Sequence, residues 1–114
     1  MKRLMMFLVL ILFPLTSYAA DLEKGKTLFE QRCASCHGNE GKGDGPAAQG
    51  FPANMKPRNL AEGKFKAATD DAKFKELLTK GGASLGLSPL MPPQAGLSDD
   101  DLNNIIAFVH SLKK

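Results

Sequence analysis

The sequence predicts an all-α fold for one small domain, on three observations. Segments near residues 21–33, 70–79 and 98–114 carry apolar residues at helical spacing. No segment shows the alternating pattern of a strand. The stretches between these helices are long and rich in glycine and proline, and such loops are ordered in a compact domain only when something organises them.

The chain has 114 residues and opens Met1-Lys2-Arg3, runs apolar from Leu4 to Leu15, and continues TSYAA. A basic start, a short apolar centre and a small-residue end identify residues 1–19 as a cleaved secretory signal peptide, with Ser17 and Ala19 suiting cleavage after Ala19. A membrane anchor is the competing reading. The apolar run is 12 residues long and contains Pro14, whereas a spanning helix needs ~20. No cysteine stands at the cleavage site to carry a lipid. Residues 20–114 then form the working domain, a size that gains much from a cofactor or crosslink. The whole chain has 15 basic and 12 acidic residues, and loss of Lys2 and Arg3 brings the net charge to about +1. With no basic run and few aromatics, nucleic acid is not an expected partner.

The first helix begins at Asp21, which can cap it, and Leu22, Gly25, Phe29 and Cys33 fall on one stripe. Glycine within a helix costs ~1 kcal/mol relative to alanine, so Gly25 calls for a close crossing by another helix. The C-terminal helix supplies that partner. Ser98 is its N-cap, acidic residues fill its first turn, Asp101 completes a capping box, and Leu97 and Leu102 can form a hydrophobic staple. Leu102, Ile105, Ile106, Val109 and Leu112 make its core stripe, with Phe108 beside them. His110 falls off that stripe and reads as a surface residue. A shorter helix over 70–79 shows Phe74, Leu77 and Leu78 on one face, and Gly81-Gly82 ends it.

CASCH, residues 33–37, holds both cysteines of the chain and one of its two histidines. A dithiol redox pair would sit after a strand in a βαβ unit, but the approach here is helical. A structural zinc site wants four ligands; the chain offers two cysteines, His37 and a lone His110, and adjacent Cys36 and His37 converge poorly on one ion. Covalent haem uses all the marked positions. Cys33 and Cys36 match the spacing of the two haem vinyl groups, and His37 follows as an axial iron ligand. A second axial ligand must come from the loops. Met91 sits in S-P-L-M-P-P-Q, where Pro89, Pro92 and Pro93 stiffen the chain. Met55, in A-N-M-K-P, reads as loop packing.

The domain resembles bacterial class I mono-haem c-type cytochromes over essentially its whole length. The resemblance is carried by G-K-T-L-F at 25–29, C-A-S-C-H-G at 33–38, G-K-G-D-G-P at 41–46, L-M-P-P at 90–93 and the final L-S-D-D-D-L…I-I-A-F-V-H-S-L. It implies a small cytochrome c fold, first and last helices crossing near Gly25, Phe29 and Phe108, and loops wrapped around one covalent haem c. It implies His37 and Met91 as axial ligands, and a proline carbonyl accepting the other N–H of His37. Pro46 is the best match for that proline, with Pro52 next. An aromatic at position 108 is usual in the family, commonly Tyr or Trp; Phe keeps the packing role.

The expected function is one-electron transport in the periplasm by a monomer without a stable membrane anchor, exchanging electrons with redox protein donors and acceptors, and not an enzyme. Lys56, Lys64 and Lys80 are candidates for steering those partners. A haem-bearing subunit of a periplasmic redox enzyme complex is one alternative. A gas-binding or peroxidase domain is another, and it requires a labile Met91; Gln94 is then the only polar candidate beside it.

Overall fold

The computed structural model describes residues 7–12 and 20–114. Most of the leader, residues 1–6 and 13–19 with the Ser17–Ala19 cleavage signal, lies outside the described residues; 7–12 are exposed and carry no regular structure. Helix α1 spans Leu22–Arg32, the single turn α2 Ala34–His37, α3 Asp71–Lys80 and α4 Asp99–Ser111. Short 3-10 turns at Pro46–Gly50, Ala53–Met55, Leu60–Glu62 and Ala83–Leu85 punctuate the loops, and no strand occurs among the described residues.

Each long helix starts where a side chain satisfies its first free N–H groups. The Asp21 carboxylate accepts from the Lys24 N–H at 3.1 Å, and that of Asp70 from the Lys73 N–H at 2.8 Å. At α4 the box closes both ways. Ser98 Oγ accepts from the Asp101 N–H at 3.0 Å, and the Asp101 carboxylate accepts from the Ser98 N–H at 3.1 Å. Glycine ends α3, and Gly81 takes φ +82° there.

Helices α1 and α4 cross in close contact, and Gly25 permits it. A Cβ at that position would meet the Asn104 carbonyl oxygen and lie 2.6 Å from its carbon and 3.0 Å from Phe108 Cβ. Beside the crossing, the rings of Phe29 and Phe108 stack at 5.2 Å, tilted by 56°. The Asn104 side chain accepts from the Asp21 N–H at 2.9 Å, tying the start of α1 to the middle of α4. Leu102, Ile105, Ile106 and Val109 are buried, each contributing about 1.5–3 kcal/mol by leaving water. They pack with Phe29 and with Phe74, Leu77 and Leu78 of α3 in one cluster. His110 is exposed, with Nε2 2.9 Å from Asp71 Oδ1, so it links α4 to the start of α3 at the surface. No helix of the described residues is long and apolar enough to cross a membrane.

Replacing Gly25 by alanine sets two effects against each other. Helix propensity gains about 1 kcal/mol, while wedging a methyl into a packed crossing typically costs about 1–3 kcal/mol and more when the obstacle is backbone. The obstacle here is the Asn104 backbone, so Gly25→Ala is expected to lower the thermal midpoint of the holo-protein; an unchanged or raised midpoint would contradict the crossing.

Candidate functional site

Helix α1 is capped at its C-terminal end by Cys33, whose N–H donates to the Phe29 carbonyl at 2.8 Å. The chain then turns once more as α2, with the His37 N–H on the Cys33 carbonyl (2.8 Å) and the Gly38 N–H on that of Ala34 (2.8 Å). This turn sets the two sulfurs and the imidazole along one edge of a cavity of about 570 Å³, and all three side chains line it. Across the same lining come Met91 with Pro89, Leu90 and Pro92, and Met55 with Pro57 and Arg58.

The Met91 segment is shaped by Gly82. Its N–H donates to the Met91 carbonyl at 2.9 Å. A Cβ on Gly82 would meet the Ser88 carbonyl oxygen and lie 3.3 Å from Met91 Cβ, so the loop closes tightly on that residue.

The side chains fit a large flat apolar group bearing acidic tails. Phe29, Phe74, Leu77, Leu78, Ile105 and Val109, all buried, belong to the cavity's lining. Its volume is that of a cofactor pocket, well beyond the voids that close-packed interiors tolerate. The charged lining residues are Arg32, Lys56, Arg58 and Lys66, with no carboxylate among them. Haem, apolar in its macrocycle and carrying two carboxylates at its edge, matches this wall.

Burial pushes the Cys33 thiol up to about 11, against the opposing pull of Arg32. A redox dithiol depends on a depressed thiol pKa, so the environment of Cys33 is the reverse of what that chemistry needs. Burial also lowers the pKa of His37, with a backbone hydrogen bond to Arg58 acting the other way. His37 Nδ1 lies 3.3 Å from the Arg58 carbonyl oxygen, which can only accept. Nδ1 therefore carries the proton, and the neutral ring leaves Nε2 unprotonated, the form that binds metal.

The structure thus brings Cys33, Cys36, His37 and Met91 together and leaves Pro46 apart. Pro46 lines a small separate cavity with Ala34, Gly38 and Asp44, and the carbonyl facing His37 belongs to Arg58. Pro52 is not in the large lining either. Sequence reasoning passed over Pro57 and Arg58; a backbone acceptor leaves no side-chain signature, and only the run of prolines in this loop hinted at it. Met55, expected to pack in its loop, lines the cavity as Met91 does. Of the lysines proposed for docking, Lys56 lines the cavity and donates to the carbonyls of Ala48 and Gln49; Lys80 pairs with Glu76 at 3.1 Å.

Comparison with known proteins points the same way. The family model described as cytochrome c matches residues 22–113. Cytochrome c-554(547) of Halothiobacillus neapolitanus is 37% identical over 98 residues, covering 83% of this chain and 100% of that protein. The CcoP subunit of the cbb3-type cytochrome c oxidase of Azospirillum brasilense is 32% identical over 82% of this chain, which spans 29% of the subunit. Among solved structures, a chain of the Kuenenia stuttgartiensis reducing HAO-like protein complex aligns with a TM-score of 0.65 at 36% identity, over 82% of this chain and 44% of that one.

A chain prepared without a group in this cavity would have its core residues facing a void and is expected to lack a cooperative thermal transition. A sharp calorimetric melt of that form would refute the dependence of the fold on the group.

Proposed function

Because the chain belongs to the cytochrome c family and carries covalent haem c through Cys33 and Cys36, we propose that it is a periplasmic one-electron carrier whose axial iron ligands are His37 and Met91. In this reading residues 1–19 are a signal peptide removed on export, and the monomeric domain 20–114 exchanges electrons with redox proteins in brief encounters. The observation that carries it is the convergence of one imidazole and a proline-braced thioether on the cavity that also receives both thiols.

When bound, the haem supplies a one-electron couple at its iron. The chain's part is to hold and tune it. Cys33 and Cys36 fix the group covalently. The Arg58 carbonyl holds the His37 tautomer and strengthens the imidazole as a donor. Met91 would close the remaining position to substrates, and a thioether ligand in an apolar shell would favour a fairly high potential. Phe29, Phe74, Leu78 and Ile105 keep water from the macrocycle, while Lys56, Arg58 and Lys66 offer partners for its carboxylates.

The lining supports a carrier over a catalyst. Besides His37 and the two thiols it offers the Ser88 hydroxyl, the amides of Asn54 and Gln94 and the four cations rather than a second imidazole or a carboxylate; Gln94 already donates to the Pro92 carbonyl at 3.2 Å. A relative matched along its full length favours a free carrier over a fixed subunit. The likeness to CcoP keeps the subunit reading as the second choice, distinguishable by co-purification with a larger complex.

Absorption spectra of the exported protein test the reading. A low-spin c-type spectrum indifferent to carbon monoxide is expected in the reduced state, and Met91→Ala is expected to bind carbon monoxide readily. Free binding by the wild type would exclude Met91 as a firm ligand and favour ligand sensing.

A further inference from the structure

The segment that carries Met91 is held by few bonds. Residues 91–96 form no helix, and besides the local bond from the Met91 N–H to the Ser88 carbonyl at 3.2 Å, three hydrogen bonds among the described residues anchor them to the rest of the fold. The Gly82 N–H donates to the Met91 carbonyl at 2.9 Å, and the Gln94 N–H donates to the Leu78 carbonyl at 2.7 Å. Both run to α3 or to the turn that leaves it. The third comes from the other half of the cavity: Arg32 Nη1 donates to the Ala95 carbonyl at 2.8 Å.

Arg32 is the last residue of α1, directly before Cys33, and its side chain lines the same cavity. Among the described residues its bond to Ala95 is the only hydrogen bond or ion pair joining residues 21–38, which carry Cys33, Cys36 and His37, to residues 81–96, which carry Met91. Among the described residues it makes no ion pair with a protein carboxylate. Apolar packing also holds the segment, through Met91 and Leu97 against the core, but packing does not fix the position of a backbone carbonyl.

We infer that Arg32 is a positioning residue that latches the Met91 segment to the haem-attachment turn and so sets how readily the thioether leaves the iron. The inference rests on Met91 being an axial ligand. Its physical basis is leverage. A thioether is a weak ligand, so its residence on the metal follows the local opening of the segment that bears it. A charge-assisted donor bridging four residues beyond the sulfur's own position raises the cost of that opening without touching the metal. Both groups are exposed to solvent, which reduces the effect relative to a buried bond.

The test compares the holo-protein with its Arg32→Ala and Arg32→Lys variants. The readouts are the far-red thioether-to-iron charge-transfer band of the oxidised form and the rate of carbon monoxide binding to the reduced form, both well below the melting temperature. Loss of one charge-assisted hydrogen bond at the surface predicts about tenfold faster carbon monoxide binding and a weakened band in Arg32→Ala. Lysine can still donate to a single carbonyl, so Arg32→Lys is expected to recover most of the wild-type behaviour. A wild type inert to carbon monoxide with an equally inert Arg32→Ala overturns the latch and leaves the ligand assignment standing. Equal acceleration in both variants also overturns it. A wild type that lacks the band and binds carbon monoxide freely overturns the Met91 reading itself.

Discussion

The hydrophobic core of this domain is also the wall of its cavity, and the rest of the structure depends on that constraint. Phe29, Phe74, Leu77, Leu78, Ile105 and Val109 are buried and also belong to the lining of a space of about 570 Å³. Side chains facing such a space lack the dispersion partners that a close-packed interior provides. A domain this short has little other apolar surface to draw on. The haem therefore completes the core, and covalent attachment through Cys33 and Cys36 makes that completion permanent. The long loops follow from the same constraint. They carry only short 3-10 turns, yet each contributes cavity-lining side chains, Phe51 to Leu60 from one and Gly86 to Gln94 from the other.

The crossing of α1 and α4 converts helix geometry into the position of the thiols. Gly25, Phe29 and Cys33 lie along one stripe of α1 and its cap, and the eight steps from Gly25 to Cys33 rise ~12 Å along the helix. Once the Asn104 backbone seats against Gly25, and Phe108 against Phe29, the rigid end of α1 can deliver Cys33 to only one place. The α2 turn then sets Cys36 and His37 relative to it through the Cys33 carbonyl. Packing at one end of a helix thus fixes chemistry at the other.

Which parts of this were legible in the sequence depends on how the interaction is encoded. Caps and core stripes are written in side chains. Asp21, Ser98 with Asp101, and the Leu102–Val109 stripe therefore stand where the pattern indicates. Gly25 was legible because a glycine inside a good helix has a cost that needs a reason. The acceptor facing His37 was not legible. It is a main-chain carbonyl, chemically identical in every residue, and only the path of the loop selects Arg58 and passes over Pro46. The closeness of Gly82 to the Met91 loop, and the reach of Arg32 across 63 positions to Ala95, are likewise products of tertiary path. Met55 illustrates the converse: its approach to the cavity follows from the Ala53–Met55 turn, which has no periodic signal.

The two sides of the cavity are built to different standards of rigidity. His37 sits in a helical turn between a cysteine that becomes covalently bound and Gly38, with its backbone N–H and its ring both hydrogen-bonded. Met91 sits in an irregular segment stiffened by neighbouring prolines and by three long-range hydrogen bonds, one of them from a solvent-exposed guanidinium. A single fold can serve as an electron carrier or as a ligand-binding domain because the difference lies in the site and not in the topology. If Met91 ligates the iron as proposed, that difference reduces to the free energy of opening one short loop. Transport is then favoured as long as the loop's bonds outweigh the entropy its residues regain on release, and a balance of a few hydrogen bonds lies within reach of single substitutions.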